Sequence, residues 1–515
     1  MSKISKTLVK ETSDRVMELF EDICKIYPRG SKKEKAACDF LKKFVEEQKK
    51  KGIILELKHQ CEEREEKPIN NIVITKPATP GYENAKKLAL QAHLDMVCQK
   101  ISGSTHDFDT MPIITEIKNC KERGKIMTSK NNETTLGADD GIGMACILAV
   151  LESENIPHPE IQAIFTSDEE DGMSGARHFD SSFVTADRLI NIDAETEGTL
   201  YYGCAGGIYA NINIPANFVK KPEGTALLKF EISGLKGGHS GIMIHKGRAN
   251  ANRLMGRALN YFIEGFPNIM LADILGGDAK NAITTKAVAV VAVENNLVEK
   301  FKSKAKNIEG IFKYEYSSLE EGLKVSVSDC KESYEKVMAK DTLDKTVAIL
   351  MTVPNGVLDM HTEIEGLVET SSNLGVVALN EASVSLICFV RSSIESKKKF
   401  VVEQIRHIAE KVGADFVADT DSPEWNPNPD SQLMKLFQKT YSDIFNKQLA
   451  CKSVHAGLEC GYFFKRFFDE KTQKSIDAVA IGPNIDDVHI PKETLHLDTV
   501  EPVVELLLNV MASMD

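Results

Sequence analysis

At 515 residues the chain is too long for one ordinary core, so two or more domains are expected. A formal net charge of -13 excludes a general nucleic-acid binder, which needs a basic face. With 42% hydrophobic and 27% charged residues the composition is that of a water-soluble globular protein, and the longest apolar run, Ala287 to Val293, is far too short to span a bilayer.

The 11 cysteines are scattered with no Cys-x-x-Cys pair, which reads as reduced thiols. The first ten residues carry lysines and lack the apolar core of a secretory signal. Both features point to the cytoplasm.

Thr12 or Ser13 is expected to cap a first helix with Val16, Leu19, Phe20 and Ile23 on its apolar face. Pro28 to Ser31 breaks it, and a second helix runs from Glu34 to Gln48. Ile53 to Lys58 and Asn71 to Lys76 read as strands. Lys87 to Val97 reads as a buried strand that turns polar near its end, and its period of two puts His93 and Asp95 on one face. Leu136 to Gly143 is a glycine-rich bend holding Asp139 and Asp140, followed by a helix over Gly141 to Glu152. Ile161 to Thr166 is a strand that runs into Glu169 and Glu170, and Leu189 to Ile192 is a strand that ends at Asp193. Strands with acids at their carboxyl ends, separated by helices, describe an open α/β sheet with its site in the usual crevice.

The pattern changes near Gly203 to Gly207. Strands are expected at Tyr209 to Ile214, Leu227 to Ser233, Ala287 to Glu294, Leu323 to Ser328 and Ser383 to Arg391. Helices are expected at Arg248 to Phe262, Lys331 to Met351 and Ser396 to Val412. This α+β stretch is assigned to a second domain, residues 207–421, inserted into a first domain of residues 1–206 and 422–515; its length leaves room for two sheet-and-helix units. Pro423 to Pro429 forms a proline-rich linker. A helix (Ser431 to Phe445), a strand-to-turn segment (Val454 to Glu459), a strand (Asp477 to Ile481), His489 to Glu493 and a helix (Thr499 to Met511) complete the first domain.

Asp139-Asp140 by itself reads as a solvated turn. Five polar clusters at strand ends, taken together, read as one site for two divalent cations. Asp139 bridges them, His93 and Asp193 hold one, and Glu170 and His489 hold the other. These ligand types suit zinc. Two ions roughly 3.5–4 Å apart share a water and lower its pKa from about 15.7 toward about 7. Asp95 orients the His93 ring, and Glu169 is the general base that moves a proton from the water to the leaving amine. Signatures of rival hydrolases, His-Glu-x-x-His, Gly-x-Ser-x-Gly and a Walker loop, are absent. Gly141-Ile-Gly143 lacks the third glycine of a dinucleotide loop, since Cys146 stands there.

The ordered set Ala-His93-Leu-Asp95-Met-Val, Leu-Gly-Ala-Asp139-Asp140-Gly-Ile-Gly, Glu169-Glu170-Asp-Gly-Met-Ser-Gly, Asn191-Ile-Asp193, Gly-Gly-His239-Ser-Gly and Val-His455-Ala-Gly-Leu-Glu resembles the M20 metallopeptidases over nearly the whole chain. Within them it is most similar to the aminoacyl-histidine dipeptidases. The resemblance implies an α/β metallopeptidase catalytic domain built on a mixed sheet, with an inserted α+β lid that also forms a homodimer. It implies two Zn2+ per subunit, with Mn2+ or Co2+ as substitutes, and the same roles for the residues just named. It also implies that His239 steadies the oxyanion of a tetrahedral intermediate, often in the active site of a partner subunit. Arg391 and the Gly457 backbone would bind the peptide carboxylate, with Asn281 a further lid contact. A cis bond between Asp139 and Asp140 is expected from relatives. Ile490 departs from the family's usual His-Ser-Pro.

The expected activity is hydrolysis of unblocked dipeptides. The alternatives are deacylation of N-acyl amino acids and a metal-poor binding protein on the same fold. Roles for His455, Glu459 and His496 stay open.

Overall fold

A computed structural model describes residues 4–64, 68–122, 124–472 and 474–514. They form two compact units, Met1–Gly203 with Pro427–Ser453 and Leu458–Asp515, and Cys204–Asn426 with Val454–Gly457. The return of residues 454–457 to the second unit has no counterpart in the expected division.

The first unit carries an eight-stranded mixed sheet. Its order is Glu56–Glu62, Ile69–Lys76, Ile161–Thr166, Leu88–His93, Arg188–Asn191, Asp477–Ala480, Thr199–Cys204 and Ala450–Val454. Strands 88–93, 161–166, 188–191 and 477–480 run parallel, so their carboxyl ends lie on one side of the sheet. His93 is opposite Thr166, and Gln91 is opposite Asn191. Strands 88–93 and 161–166 are buried along their whole length. Both faces are covered, so their sequences run nearly continuously apolar and do not alternate.

The helix Ala138–Glu152 is buried from Ala138 through Leu151. It has no polar stripe because it packs against both the helix Lys6–Ile23 and strand 88–93.

The cap expected at Thr12 or Ser13 is displaced. Ser5 caps the first helix by accepting from Leu8 N–H at 3.2 Å. Thr12 and Ser13 lie inside it, and their hydroxyls donate back to the Leu8 and Val9 carbonyls at 2.7 and 2.8 Å. A four-stranded sheet in the order Ile485–Asp486, Thr494–His496, Gly124–Ser129, Thr115–Cys120 was not anticipated.

In the second unit one large sheet with its helices stands in place of two sheet-and-helix units. One nine-stranded sheet runs Lys324–Asp329, Thr225–Ser233, Ala287–Glu294, Met270–Gly276, Val368–Leu379, Ser383–Ser392, Gly206–Pro215, Asp415–Ser422, with Gly356–Met360 paired to Val368–Leu379. The helices Ala251–Gly265, Val298–Glu315, Lys340–Thr352 and Glu395–Lys411 share one apolar cluster with it. Phe230, Phe262 and Phe301 stand at its centre, with ring centroids 5.0 and 4.4 Å apart for the pairs 230–262 and 262–301. The helix expected from Lys331 starts only at Lys340. Lys336–Met338 before it is a strand paired with Phe218–Lys220, and its Val337 and Met338 are buried. Among the described residues no helix is long and apolar enough to cross a membrane.

Lys398 is fully buried in this unit, and its ammonium donates to Asp421 Oδ1 at 2.7 Å, the Ser422 carbonyl at 2.8 Å and Glu424 Oε2 at 2.8 Å. It ties helix 395–411 to the strand that leads out of the unit. Lys398→Ala leaves these acceptors without their cation. It is expected to lower stability by about 3–5 kcal/mol in urea unfolding followed by circular dichroism.

Candidate metal centre

The bend before the buried helix is shaped from outside. Gly137 has φ 72°, and a Cβ there would run into Met96 Sδ and the Arg29 guanidinium. Arg29 Nη2 donates to the Gly137 carbonyl at 2.8 Å. Glu493 then takes up four successive amides. Leu136 and Gly137 N–H donate to its Oε2 at 2.9 and 3.0 Å, and Ala138 and Asp139 N–H donate to its Oε1 at 2.7 and 3.3 Å. Asp139 is thereby fixed from the main chain, and its carboxylate faces His93 and His489. The Asp139–Asp140 peptide is cis.

Asp139 presents its two oxygens to two imidazoles. Oδ1 lies 2.9 Å from His93 Nε2 and Oδ2 lies 3.1 Å from His489 Nε2. His489 Nε2 is also 3.0 Å from Glu170 Oε2, and His93 Nε2 is 3.7 Å from Asp193 Oδ1. His93 Nδ1 faces Asp95 Oδ1 at 3.5 Å. Asp95 does a second job that its spacing did not reveal. Its Oδ1 accepts from Glu169 N–H at 3.0 Å, and its Oδ2 accepts from Glu170 N–H at 3.3 Å and from Ser31 Oγ at 2.6 Å. One buried carboxylate therefore orients the imidazole and holds the acidic loop against it.

The five ligand candidates named from the sequence are brought together in this way. Ligand atoms of Asp139, Glu170 and His489 lie within 4.8 Å of one another, as do those of His93, Glu169 and Glu170. A third group, His93, Asp140 and Asp193, contains Asp140 where Asp139 was expected. Both Asp140 oxygens are engaged by the main chain: Oδ2 accepts from His93 N–H at 3.3 Å and Oδ1 from Gly143 N–H at 3.1 Å. Asp140 thus adds charge beside the ligands while its oxygens face amides.

The electrostatics describe a cluster short of positive charge. Burial, reinforced by Asp140, Asp139 and Glu169, pushes the Asp193 carboxyl well up, although His93 opposes it. Hydrogen bonds to Asp139 and Glu170 push His489 up to about 11. Against burial, Asp193, Asp139 and Asp95 hold His93 well above the ordinary imidazole range. Divalent cations between the same oxygens and nitrogens would supply the compensating charge and would displace protons from the imidazoles. Glu170 Oε1 is buried without a hydrogen-bond partner, as an oxygen meant for a cation would be. The donor set fits two divalent ions. Burial, with Glu170, Glu459 and Asp139 adding negative charge, also pushes the Glu169 carboxyl well up against the pull of His93, which suits a proton acceptor.

The residues left open are accounted for within their units. His496 Nε2 is 2.9 Å from Asp486 Oδ2 and stands outside the three groups. Glu459 is buried, and its Oε2 accepts from Gln91 Nε2 at 2.7 Å and Thr166 Oγ1 at 2.8 Å, on the two strands that lead to His93 and Glu169. Glu493 and Arg29 were missed as positioning residues. The only trace of Glu493 was its place in the His-x-Pro-x-Glu pattern.

In the second unit, His239 Nδ1 accepts from Gly241 and Ile242 N–H at 3.2 and 3.0 Å, which leaves the proton on Nε2. Burial, then Arg391, lowers His239 to about 4, so the ring is a neutral donor at pH 7. Its Nε2 is 3.5 Å from Arg391 Nη2. Arg391 is 5% exposed and lies over the Phe389 ring at 4.1 Å, and its Nε is buried without a partner. A buried guanidinium with donors to spare is a receptor for an anion. His455, held at about 3 by burial and Arg391, has Nε2 2.7 Å from Ser371 Oγ. Gly457 has open space around it. The Asn281 carbonyl accepts from Ser240 N–H at 2.9 Å, while its side chain is exposed.

The model of Peptidase family M20/M25/M40 matches residues 89–513. The cytosol non-specific dipeptidase of Escherichia coli K12 is 38% identical over 485 residues, 94% of each chain. The crystal structure of an aminoacylhistidine dipeptidase from Vibrio alginolyticus superposes with a TM-score of 0.83 at 35% identity, covering 97% of this chain and 96% of that one. A tripeptidase structure from Staphylococcus aureus, at 16% identity and a TM-score of 0.53, shares the fold.

Glu493→Gln keeps the side-chain volume but leaves one acceptor oxygen for four amides. It is expected to weaken metal binding by about 10–100-fold with the circular dichroism spectrum unchanged, measured by competition with a chromogenic chelator. Unaltered affinity would show that the bend holds its shape without this carboxylate.

Proposed function

The chain belongs to peptidase family M20/M25/M40, and from that premise we propose that it hydrolyses the peptide bond of unblocked dipeptides. The observation that carries this reading is the placement of the two Asp139 oxygens, at 2.9 and 3.1 Å from two imidazoles that belong to separate ligand groups. The dipeptidase names of the relatives from Escherichia coli and Vibrio alginolyticus support the choice of substrate.

His93 and Asp193 would hold one cation, Glu170 and His489 the other, and Asp139 both. Two Zn2+ ions so held, or Mn2+ or Co2+ in their place, would polarise the scissile carbonyl and lower the pKa of a shared water. The chain's own groups do the rest. Asp95 keeps the His93 ring and the Glu169 backbone in place. Glu169 takes a proton from the attacking water and delivers it to the nitrogen of the leaving amino acid, so that no covalent enzyme intermediate is needed. The neutral His239 donates its Nε2 proton to the oxyanion of the tetrahedral intermediate. Arg391, with the Gly457 amide and Asn281, binds the terminal carboxylate.

The first unit is on this reading the catalytic domain and the second a lid through which the protein forms a homodimer. A cytoplasmic location agrees with the name of the Escherichia coli relative. Deacylation of N-acyl amino acids would need the same centre. Comparing kcat/KM on blocked and unblocked forms of one dipeptide separates the two, with the unblocked form expected to be the better substrate.

Glu169→Ala removes only proton transfer. It is expected to retain metal and fold while kcat falls at least about a hundredfold, and near-normal turnover would remove Glu169 from the mechanism. His239→Ala is expected to lower kcat more than it raises KM, because its hydrogen bond strengthens as charge develops on the oxygen. Steady-state kinetics on one good dipeptide check this, and an unchanged kcat would contradict it.

A further inference from the structure

His239 stands near the start of a loop, residues 236–249, that follows the strand Thr225–Ser233 and leads into the helix Ala251–Gly265. The two ends of this loop meet at one carboxylate. Glu320 Oε2 accepts from Lys236 N–H at 2.7 Å, and Glu320 Oε1 accepts from Ala249 N–H at 3.0 Å. Glu320 is 3% exposed and lies 84 positions along the chain from Lys236. A loop whose ends are held together in this way is compact and keeps one shape.

Glu320 is itself firmly placed. It sits between the helix Val298–Glu315 and the strand Lys324–Asp329. Its N–H donates to the Tyr316 carbonyl at 2.8 Å, and its carbonyl accepts from Leu323 N–H at 3.0 Å. Gly322, two residues on, abuts the entry of the loop: a Cβ there would lie 2.6 Å from the Gly234 carbonyl oxygen, closer than side chains come.

From the neck the ties continue to the histidine. Arg248 Nη1 donates to the Gly237 carbonyl, which joins the exit of the loop to the stretch just before His239. Gly238 and His239 pair with Ile283 and Ala282, and Ser240 N–H donates to the Asn281 carbonyl at 2.9 Å. Met243 N–H donates to the His239 carbonyl at 3.1 Å, while Gly241 and Ile242 N–H fix the ring at Nδ1. The imidazole takes its aim from the backbone of 237–242, and Glu320 and Arg248 close that backbone into a ring.

The neck calls for a carboxylate and not for any polar side chain. Two amides point at two different oxygens, so both positions must accept. A side-chain amide would offer an NH2 donor to one of the two N–H groups, and that hydrogen bond would be lost. A shift of about 1 Å in a group that acts on the transition state costs up to about a hundredfold in rate. Resting on the oxyanion role given to His239 above, we propose that Glu320, with Arg248 across the loop, is the positioning residue for His239. It acts through the loop and fixes where the Nε2 proton points.

The test is a double-mutant cycle on the zinc-loaded protein. It compares kcat and KM on one good dipeptide for the wild type, Glu320→Gln, His239→Ala and the two combined. Glu320→Gln is expected to lower kcat by about tenfold, with KM changed by less than about twofold and zinc affinity unaltered. Added to His239→Ala, it is expected to change kcat by less than about twofold, since the group it aims is gone. Arg248→Met cuts the tie to Gly237 at a half-buried position and is expected to show the same pattern. It carries the test if circular dichroism shows Glu320→Gln unfolded. Wild-type kcat in the folded variants, or an equal fall of kcat with and without His239, would overturn the positioning role and leave the reading of His239 in place. An unchanged kcat in His239→Ala would overturn the oxyanion role, and the positioning role with it.

Discussion

The candidate metal centre depends on a carboxylate with no place among its candidate ligands. Glu493 gathers four consecutive amides of the bend 136–139, and this holds Asp139 where its two oxygens diverge toward His93 and His489. A carboxylate accepting several backbone N–H groups is among the stronger non-covalent anchors available to a chain. It does here what a helix cap does elsewhere, in a bend whose first residues are not yet helical: Asp139 and Asp140 lie outside helical dihedral angles at the start of a buried helix. The same tactic recurs with Asp95, which collects the Glu169 and Glu170 amides and faces the His93 ring.

Such fixed geometry is what makes the crowding of acids tolerable. Asp139, Asp140, Glu169, Glu170 and Asp193 come from three segments, and burial together with their mutual repulsion raises the proton affinity of Asp140, Glu169 and Asp193 against the pull of His93. The parallel strands deliver the acids and His93 to one edge because their carboxyl ends coincide. The surplus of negative charge that follows suits divalent cations, and the same carboxylates hold the imidazoles above their ordinary range.

The second unit solves the opposite electrostatic problem. Arg391 is buried over Phe389 with a donor to spare, and burial, with Arg391 adding to it, depresses both His239 and His455, which stay neutral. A neutral His239 whose Nδ1 is tied to two amides can offer only its Nε2 proton, which is the form needed to meet a developing negative charge.

Sequence reasoning found the strands that end in His93, Thr166 and Asn191, because strands covered on both faces read as uninterrupted apolar runs. It also found the ordered polar clusters behind them, because each ligand candidate stands in a short motif at a strand end. It missed the hairpin 115–129, the helix 298–315 and the long strand 368–379, whose patterns do not stand out until their neighbours are known. It misplaced the start of the first helix, since a serine bonding back to its own helix looks the same in sequence as one that caps it. Residue types and their order thus determined the fold class and the candidate ligands. Only the tertiary structure decided that Glu493 anchors Asp139 from some 350 residues away, that Asp140 joins His93 and Asp193, and that Arg391 is buried with its Nε left without a hydrogen-bond partner. Those facts depend on which distant atoms meet and how dry the meeting place is, and neither is written in local periodicity.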